Sequence, residues 1–483
     1  MRARSIGGVV RPRAFAVLRF MTNSARRTCV RWGTCQKVPA ALGFTWKDKW
    51  LSNLHAWSDE RRQQTWGNHM KVEDLKGTTI GLLASGGLDT CTITHWLNEL
   101  DVKVICFTAD LGQPDETDFS AIESRMRACG AAEFVGVDLR RDVAALGLEG
   151  IQAQACYESR YWNVTGLGRQ ATTAGILPHV KKRGLSVLAH GATGRGNDQV
   201  RFQLIANMLD PTVQVYAPWR DEAFLNRFGG RVQMIDYCQQ HQLPIKVSRN
   251  KPYSTDANLL GLTHEAGELE SLDTPAQLVT PEMGVWAKDA PDQGEVFTVR
   301  FERGQPVEIN GGSVDIVGAF LRSNEIGGKH GIGIGVHMVE NRFVGVKSRG
   351  VYEQPGMELL GSCYGFLLHL VLDRRARELF DMLSLQFAKQ VYQGYYNDLA
   401  SQMIRSAVAR VSALVSGTVS VVLYKGVVSY ISTEAVPHSL YTVDSSMERE
   451  GSFDHRDSEG LLRVLAVHAK ALAARGLARV GAG

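Results

Sequence analysis

A short run of small and polar residues, Ser85-Gly86-Gly87-Leu88-Asp89-Thr90, has the composition of a site that binds phosphate groups. It follows the apolar run Ile80-Gly81-Leu82-Leu83-Ala84, so we expect a buried strand to end at the glycines and a helix to begin near Thr90. Backbone N–H groups and the positive end of the helix would then face one point, which suits an anion. Glycines also allow a tight turn and a close approach of the anion to the backbone.

Asp89 places a carboxylate inside this predicted phosphate site. Its charge would repel phosphates unless a metal ion lies between them, and Mg²⁺ is commonly held by a carboxylate together with substrate phosphates. Ser85 and Thr90 can add hydroxyl donors. The run is not a P-loop, because no Lys follows the glycines. An ordinary connection between a strand and a helix is the alternative, and a bare Ser-Gly-Gly would fit it equally well.

A second polar loop, residues 191–201, combines a carboxylate with a guanidinium. If a helix begins near Asn197, Asp198 and Arg201 lie on the same helical face. Such a pair can hold the ammonium and carboxylate groups of an amino acid. Taken alone, the pattern is more typical of a helix capped by Asn197 with a local ion pair.

Further polar residues are candidates that each have a simpler structural explanation. Residues 253–265 are typical of a surface loop, and the charged residues of 340–353 are typical of a solvated face. Tyr161 fits half-buried packing, and His190 fits a structural histidine at the end of a strand.

These segments follow predicted strands in a region where strand-like and helix-like runs alternate. Such alternation, from about residue 77 to 245, predicts a parallel sheet with helices on both faces. Ligands bind outside the carboxyl ends of the strands in these sheets, where the loops that begin at Ser85, Ala109 and Gly191 fall. The predicted strands are Thr79–Ala84, Val102–Thr108, Glu133–Val137, Ser186–His190 and Val213–Tyr216, with helices such as Thr90–Leu100 and Phe119–Cys129 between them.

The pattern changes near residues 242–258, which indicates a linker into a second domain of α+β type. Hairpins are predicted within 295–309 and 419–431, a helix at 314–324, and a long helical region at 364–414. The predicted fold class is therefore α/β, with a parallel-sheet domain, an α+β domain and a C-terminal helix. The predicted units are a basic, disordered extension at 1–76, domains at 77–243 and 244–450, and a tail at 451–483.

The net charge of +4 is distributed unevenly along the 483 residues. Residues 1–47 hold eight Arg, two Lys and no Asp or Glu, which leaves a charge of −6 for residues 48–483. Nothing in the body of the chain therefore indicates nucleic-acid binding. No apolar run approaches the roughly 18 residues of a membrane span, so no membrane segment is expected.

The basic extension has two explanations. It has the composition of an organellar transit peptide, or it is translated upstream sequence that precedes a true start at Met21 or Met70. The terminal run 461–479 is either a helix that packs on a neighbouring subunit or a solvated end. The eight cysteines form no C-x-x-C pair, so we expect neither a zinc site nor a disulfide framework, and a reducing compartment fits.

Taken together, the polar segments resemble one family closely, argininosuccinate synthase, over roughly residues 77–435. The matching strings are ASGGLDT at 84–90, TADLGQPDE at 108–116, HGATGRGNDQVRF at 190–202, PYSTDANLLGLTHEAGELE at 252–270, GGKHGIG at 327–333 and VENRFVGVKSRGVYEQPG at 339–356. The resemblance implies an adenine nucleotide alpha hydrolase-like domain followed by a synthetase domain. It also implies a cytoplasmic homotetramer.

The resemblance implies that ATP, citrulline and aspartate are converted through a citrulline-adenylate into argininosuccinate, AMP and diphosphate, with Mg²⁺ as the metal ion. Asp89 and Asp198 are the implied catalytic residues, although the direct metal ligands stay unknown. The implied ATP site comprises Leu83, Ala84, Ser85, Gly86, Gly87, Leu88, Asp89, Thr90, Cys91, Ala109, Gly191, Thr193, Asp198 and Asp256. The implied aspartate site comprises Thr193, Asn197 and Asp198, and the implied citrulline site Tyr161, Asn197, Arg201, Ser254, Thr263, Glu265, Glu340 and Tyr352.

The chain departs from the family pattern in two places. Thr90 and Cys91 stand where the family's loop often has Ser, and the start of a helix tends to lower the pKa of a thiol such as Cys91. After Tyr161, the run Asn163–Gly166 replaces a Ser that contacts citrulline in many members. The alternatives are a tRNA-thiolating or amidating enzyme with a related loop, and a protein that only binds nucleotide.

Overall fold

The computed structural model describes residues 70–245, 252–448, 451–452 and 454–478. Within it, five parallel strands form a sheet in the order β3-β2-β1-β4-β5. The prediction of a parallel sheet is confirmed, and the strand bounds agree with those predicted to within two residues. The strands are β1 Thr79–Leu83, β2 Lys103–Asp110, β3 Glu133–Asp138, β4 Val187–His190 and β5 Gln214–Tyr216.

Helices cover both faces of this sheet, as an almost continuously buried strand such as β2 requires. They are α1 Leu88–Glu99, α2 Phe119–Ala128, α3 Arg140–Gln152, α4 Val164–Lys182, α5 Asp198–Leu209, α6 Glu222–Arg227 and α7 Arg231–Gln240. Helix α1 begins two residues before the predicted Thr90. The direction of the strand order reverses between β1 and β4, and a crevice for a ligand is expected at that point.

Two antiparallel sheets follow the parallel one. A five-stranded sheet has the order β10-β9-β8-β13-β14, and a four-stranded sheet has the order β11-β12-β7-β6. The strands are β6 Ser254–Asn258, β7 Gly261–Glu265, β8 Glu295–Glu302, β9 Gln305–Ile309, β10 Gly312–Ser313, β11 Ile334–Asn341, β12 Lys347–Glu353, β13 Gly417–Tyr424 and β14 Val427–Glu434. The two predicted hairpins are therefore confirmed, as β8 with β9 and β13 with β14.

The four-stranded sheet was not predicted, because its strands are rich in polar residues. The sequence indicated a linker, a surface loop and a solvated face in these segments. In the structure they form paired strands, β6 with β7 and β11 with β12. A fully buried hydrogen bond joins β7 to β12, where His264 Nε2 lies 2.6 Å from Glu353 Oε1. Glu353 also accepts the backbone N–H groups of Glu282 and Met283. The sheet thus has a polar interior contact that fixes these two strands against each other.

The long helical region divides into three helices, α9 Pro355–Val371, α10 Arg374–Gln393 and α11 Leu399–Ser412. Helix α8 Ile316–Lys329 precedes this region and α12 Asp457–Ala474 follows it. Helix α9 is mostly buried, whereas α12 has no buried residue. The largest core cluster runs from Leu83 to Leu423, so the parallel sheet and the later helices share one hydrophobic interior.

The extension predicted for 1–76 ends earlier than expected. Val72 and Leu75 are buried, and the backbone N–H of Val72 donates to Asp221 Oδ2 at 2.7 Å, so residues 70–76 belong to the folded part. Residues 1–69, with both explanations offered for them, lie outside the described residues. Among the helices of the described residues, none is long and apolar enough to cross a membrane.

Candidate functional site

Residues 85–90, the glycine loop, connect β1 to α1 as a tight turn. Gly86 has a φ of 71°, a conformation that side chains with a Cβ rarely adopt. The Gly87 N–H donates to Ser85 Oγ at 3.4 Å, and Thr90 Oγ1 donates to the Gly87 carbonyl at 3.2 Å. The Thr90 hydroxyl therefore fixes the loop itself. Ser85 is exposed, so its hydroxyl remains at the surface of the loop.

Arg125 of α2 packs against the glycine loop and was not found from the sequence. A Cβ added to Gly86 would lie 3.0 Å from Arg125 Nη2 and 2.9 Å from Ile122 Cγ2. The guanidinium is buried and pairs with Glu116 at 2.8 Å, while its Nε has no hydrogen-bond partner. A positive charge thus lies directly behind the turn that was predicted to hold phosphates. Arg125 is an ordinary helical residue in the sequence, far from the loop along the chain, so no local signal pointed to it.

Asp89 lies in the first turn of α1 with one oxygen held in place. Trp219 Nε1 donates to Asp89 Oδ1 at 2.9 Å. Burial raises the pKa of Asp89, and the bond from Trp219 offsets this only in part. No cation of the protein is in hydrogen-bond contact with the carboxylate, so its charge is poorly compensated within the described residues. The donor set fits a Mg²⁺ ion that would be shared with phosphates.

The sequence-based expectation for Cys91 is wrong. A hydrogen bond with Cys129 and burial raise the pKa of the Cys91 thiol, whereas a helix start was expected to lower it. The side chain is fully buried, and its Sγ donates to the Gly86 carbonyl at 3.6 Å. Cys91 therefore helps to hold the glycine loop in place through its bond to Gly86. Its thiol does not have the lowered pKa that is typical of a reactive cysteine.

The loop after β4 lies against the start of α1. A Cβ on Gly191 would be 3.2 Å from Asp89 Cβ and 3.4 Å from Ile93 Cδ1, so only a small residue allows this approach. His190, just before it, is fully buried, and burial with nearby Arg220 lowers its pKa to about 3. Its Nδ1 accepts the Ala192 N–H, so the neutral ring stabilises the turn as the structural explanation predicted.

A polar cavity of about 860 Å³ opens beside these loops. It is bounded by the loop after β4, by Trp219 and by the four-stranded sheet. Twelve residues of the predicted site line it: Tyr161, Gly191, Thr193, Asn197, Asp198, Arg201, Ser254, Asp256, Thr263, Glu265, Glu340 and Tyr352. The other ten, Leu83 through Cys91 and Ala109, do not line this cavity. Asp89 borders it through Trp219 and Gly191.

Four charged side chains meet beside the cavity and are here called the ionic cluster: Arg169, Asp198, Arg201 and Asp256. The last three line the cavity. Arg169 of α4 donates from Nε and Nη2 to Asp198 Oδ2, at 3.0 and 2.9 Å, and from Nη2 to Asp256 Oδ2 at 2.6 Å. Arg201 Nη1 donates to Asp198 Oδ1 at 2.7 Å, and Arg201 Nε donates to the Tyr392 carbonyl at 2.9 Å. The sequence indicated the pair of Asp198 with Arg201 but missed Arg169, which joins three elements.

The ionic cluster keeps Asp198 charged. Burial alone would raise the pKa of Asp198, but Arg169 and Arg201 outweigh burial and lower it to about 2. Both carboxylate oxygens accept hydrogen bonds from guanidinium groups. Asp198 is therefore a fixed negative charge that can orient an ammonium or amine, and it is a poor acceptor of a proton at neutral pH.

The four-stranded sheet adds further acidic groups to the cavity lining. Glu265 ends β7 and is accessible from the cavity, yet enclosure and the charges of Asp198 and Asp256 raise its pKa to about 7. Glu340 is buried and accepts hydrogen bonds from Tyr352 Oη at 2.5 Å and Ser348 Oγ at 3.2 Å. The wall therefore offers negative charge to a cationic group of a ligand.

The remaining predicted residues connect the elements around the cavity. Asn197 Oδ1 accepts the Phe343 N–H at 2.9 Å, which ties the start of α5 to the turn after β11. The Tyr161 and Tyr352 rings lie 4.4 Å apart. The departure noted after Tyr161 places Thr165 on the cavity wall, with its hydroxyl 3.1 Å from that of Thr263. A hydroxyl thus remains close to the expected position.

The chain matches two protein-family models that together cover most of its length. The model described as "Arginosuccinate synthase N-terminal HUP domain" matches residues 79–244. The model described as "Arginosuccinate synthase C-terminal domain" matches residues 253–472. The first match covers the parallel sheet, and the second covers the antiparallel sheets and most of α12.

Curated relatives with the same name are similar over nearly their whole length. The chain is 40% identical to "Argininosuccinate synthase" of Rhodopirellula baltica over 386 residues, which is 79% of this chain and 95% of the relative. It is 38% identical to the Thermotoga maritima protein of that name, over 81% of this chain and 96% of the relative. "Argininosuccinate synthase 1" of Rhizobium johnstonii is 37% identical, over 82% of this chain and 98% of the relative.

Proposed function

The chain belongs to the argininosuccinate synthase family, and on this premise we propose that it joins citrulline to aspartate in an AMP-forming reaction. The family consists of ligases that condense citrulline with aspartate in arginine biosynthesis and use ATP as a substrate. The observation that supports the proposal most strongly is the cavity, because it gathers twelve predicted residues from the four-stranded sheet and from loops and a helix beside the parallel sheet.

The glycine loop would hold the phosphates of ATP, with Arg125 behind it. Turn N–H groups and the start of α1 offer a site for the negative charge that develops on leaving diphosphate. Asp89 would hold Mg²⁺, which supplies charge neutralisation for the phosphates when bound. Support comes from the raised pKa of Asp89, because a carboxylate whose charge is poorly compensated favours the approach of a cation. Leu83, Ala84 and Ala109 would shape the nucleotide site by their backbone.

The cavity would bind the two amino acids side by side, with Asn197 common to both sites. Arg201 would face the α-carboxylate of citrulline, and Glu265 with Glu340 would face its ammonium group. Tyr161, Ser254, Thr263 and Tyr352 would complete that site by hydrogen bonds and packing. Thr193, Asn197 and Asp198 would bind aspartate, with Asp198 orienting its amine. Asp256, which pairs with Arg169 in the ionic cluster, would contribute to the ATP site.

The proposed chemistry has two displacement steps. The ureido oxygen of citrulline attacks the α-phosphorus, a new P–O bond forms, and the bond to diphosphate breaks. The aspartate amine then attacks the ureido carbon, the C–O bond to AMP breaks, and the nitrogen loses a proton. Because Asp198 stays ionised and hydrogen-bonded, we assign no general base, and orientation of bound reactants supplies most of the acceleration.

Labelled citrulline tests this proposal directly. With ATP and Mg²⁺, the purified chain should release diphosphate only when citrulline is present, and argininosuccinate should form only after aspartate is added. If the ureido oxygen of citrulline carries oxygen-18, the label should appear in AMP, since that oxygen leaves with the phosphate. Release of ADP, or diphosphate release that ignores citrulline, would contradict the proposal and favour a different enzyme with a related loop.

We also propose that the enzyme is a cytoplasmic homotetramer. Support for assembly comes from α12, where Leu461, Leu462, Val464, Leu465 and Val467 are 58–70% exposed along one 18-residue helix. Apolar side chains exposed together favour burial against another chain. The six described cysteines are free thiols, as in a reducing compartment. Light scattering on the purified chain should give four times the chain mass, and a monomer at micromolar concentration would contradict the assembly.

A further inference from the structure

A second cluster of ligand-type side chains lies near the C-terminal end of α1. His95 and Glu99 are four residues apart on α1 and so share one face, and His241 follows the end of α7. One ring nitrogen of each histidine and one carboxylate oxygen of Glu99 all lie within 4.8 Å of one another. None of the three lines the substrate cavity, so the reaction proposed above does not use them.

A hydrogen-bond chain fixes which nitrogen of His95 carries the proton. Tyr237 Oη donates to Glu99 Oε2 at 2.8 Å, and His95 Nδ1 lies 2.7 Å from the same Tyr237 Oη. A phenol has a single proton and an ionised carboxylate can only accept, so His95 Nδ1 must be the donor to Tyr237. The Nε2 atom of His95 is then left with a free lone pair, which is the form that binds metal ions.

His241 also presents an unused nitrogen to this cluster. Its Nε2 atom is buried without a hydrogen-bond partner and lies 3.9 Å from Glu99 Oε1, too far for a hydrogen bond. The His95 and His241 rings are 4.6 Å apart between their centroids. A buried nitrogen that faces a carboxylate across such a gap gains a partner if a cation occupies the space between them.

We propose that His95, Glu99 and His241 bind a divalent transition-metal ion of the zinc type, with water completing its coordination. Two imidazoles and a carboxylate are ligands that Zn²⁺ accepts, and its ligand atoms lie about 3.4 Å apart in a tetrahedron with bonds of about 2.0–2.1 Å. The ligand atoms now lie within 4.8 Å of one another, so the three side chains must move closer together to hold the ion. Tyr237 then acts as the outer partner that orients a ligating histidine.

The site would have a structural role. The glycine loop lies at one end of α1 and the His95–Glu99 face at the other, about 15 Å away for ten residues of helix. A metal ion bound there would connect α1 to α7 and so restrain the helix on which Asp89 sits. The expected consequence is greater stability of the parallel-sheet region, with no direct part in the chemistry.

Metal binding to the full-length chain tests the proposal, with Zn²⁺ and Co²⁺ as probes after treatment with a chelator. By calorimetry, wild type should bind one more Zn²⁺ per chain than the His95→Gln and His241→Gln variants. Co²⁺ should give visible absorption bands in wild type that both variants lose. The exposed His438→Gln is the matched control and should behave as wild type.

The Tyr237→Phe variant distinguishes a specific metal site from adventitious metal binding by surface histidines. It retains every proposed ligand but removes the bond that orients His95, so we expect roughly 10-fold to 100-fold weaker Zn²⁺ binding. Circular dichroism of each metal-free variant controls for folding. The proposal is overturned if the His95 and His241 variants, folded by that measure, bind Zn²⁺ with the stoichiometry and affinity of wild type.

Discussion

The glycine loop and the ionic cluster are built in different ways. The loop is made of backbone groups at the start of α1, and side chains such as Thr90 and Cys91 only fix its shape. The ionic cluster is made of side chains from α4, α5 and β6, which neutralise one another across the cavity wall. A loop of the first kind depends on local conformation, while a cluster of the second kind depends on distant residues meeting at one point.

This difference predicts different responses to substitution. Changes in the loop should affect the nucleotide and leave amino-acid binding intact, because they alter one turn. Changes in the ionic cluster should weaken the binding of both amino acids, because each charged side chain of the cluster holds its neighbour in place. The four variants below, in order of decreasing expected effect, test this contrast.

Asp89→Asn should slow the first step more than any other change. The amide keeps an oxygen for Trp219 but loses the charge proposed to hold Mg²⁺, so citrulline-dependent diphosphate release should fall about 100-fold to 1000-fold. Rapid-quench kinetics measure this step. Asp142→Asn, at an exposed position on α3, is the control. Unchanged diphosphate release in Asp89→Asn would remove Asp89 from the nucleotide site.

Arg169→Lys should break the ionic cluster while keeping its charge. A lysine cannot reproduce the forked contact with Asp198 and the bond to Asp256, and a loss of about 2 kcal/mol corresponds to roughly a 30-fold lower kcat/KM for both amino acids. Steady-state kinetics with each amino acid varied provide the measurement. Arg183→Lys removes a similar fork to Glu133 away from the cavity and should leave kcat/KM unchanged. If Arg169→Lys and Arg183→Lys lowered kcat/KM equally, the ionic cluster would have no special role in the reaction.

Gly86→Ala should raise the KM for ATP about 10-fold to 30-fold and leave amino-acid binding unaffected. The positive φ costs a residue with a Cβ about 1–2 kcal/mol, and the added carbon would lie 2.9 Å from Ile122 Cγ2. Gly184→Ala has a similar φ of 69° but no atom within 4 Å, so it isolates the backbone cost from the crowding. If Gly184→Ala changes the KM for ATP equally, the effect is general destabilisation.

Glu265 should give citrulline binding a pH dependence. The folded chain keeps this proton up to about pH 7 while an unfolded chain loses it near 4.5, so this group's contribution to stability falls as pH rises between those values. A substrate ammonium prefers the ionised form, so citrulline affinity should rise up to about tenfold from pH 6 to pH 8. Calorimetric titration measures the citrulline affinity at each pH, and Glu265→Gln should remove most of its pH dependence. A wild-type affinity that stays constant over this range would contradict the assignment.

The same contrast explains which parts of the site could be predicted from the sequence. The glycine loop was predicted because strand, turn and helix signals lie within a dozen consecutive residues. Arg169 was missed because its partners lie 29 and 87 residues away, and nothing in its own helical surroundings is unusual. Trp219 and Arg125 were missed for the same reason, since each acts through a contact made only by folding.

The fold shows a similar division. Apolar strands of the parallel sheet were found to within two residues, because strands buried on both faces form continuous apolar runs. The four-stranded sheet was not found, because the residues of β6, β7, β11 and β12 that line the cavity must be polar. The polar residues of the cavity lining therefore hide the pattern of these strands. The prediction for Cys91 failed because its pKa is raised by a contact with Cys129 that forms only on folding.

The Arg201 guanidinium has consequences for selectivity, since Asp198 and the Tyr392 carbonyl engage only two of its five N–H groups. A carboxylate that binds the remaining N–H groups would lie close to the Asp198 carboxylate. A simple carboxylic acid would therefore bring two negative charges together. An amino acid brings an ammonium group as well, which offsets this repulsion. The cavity should therefore disfavour keto and hydroxy acids of the same length.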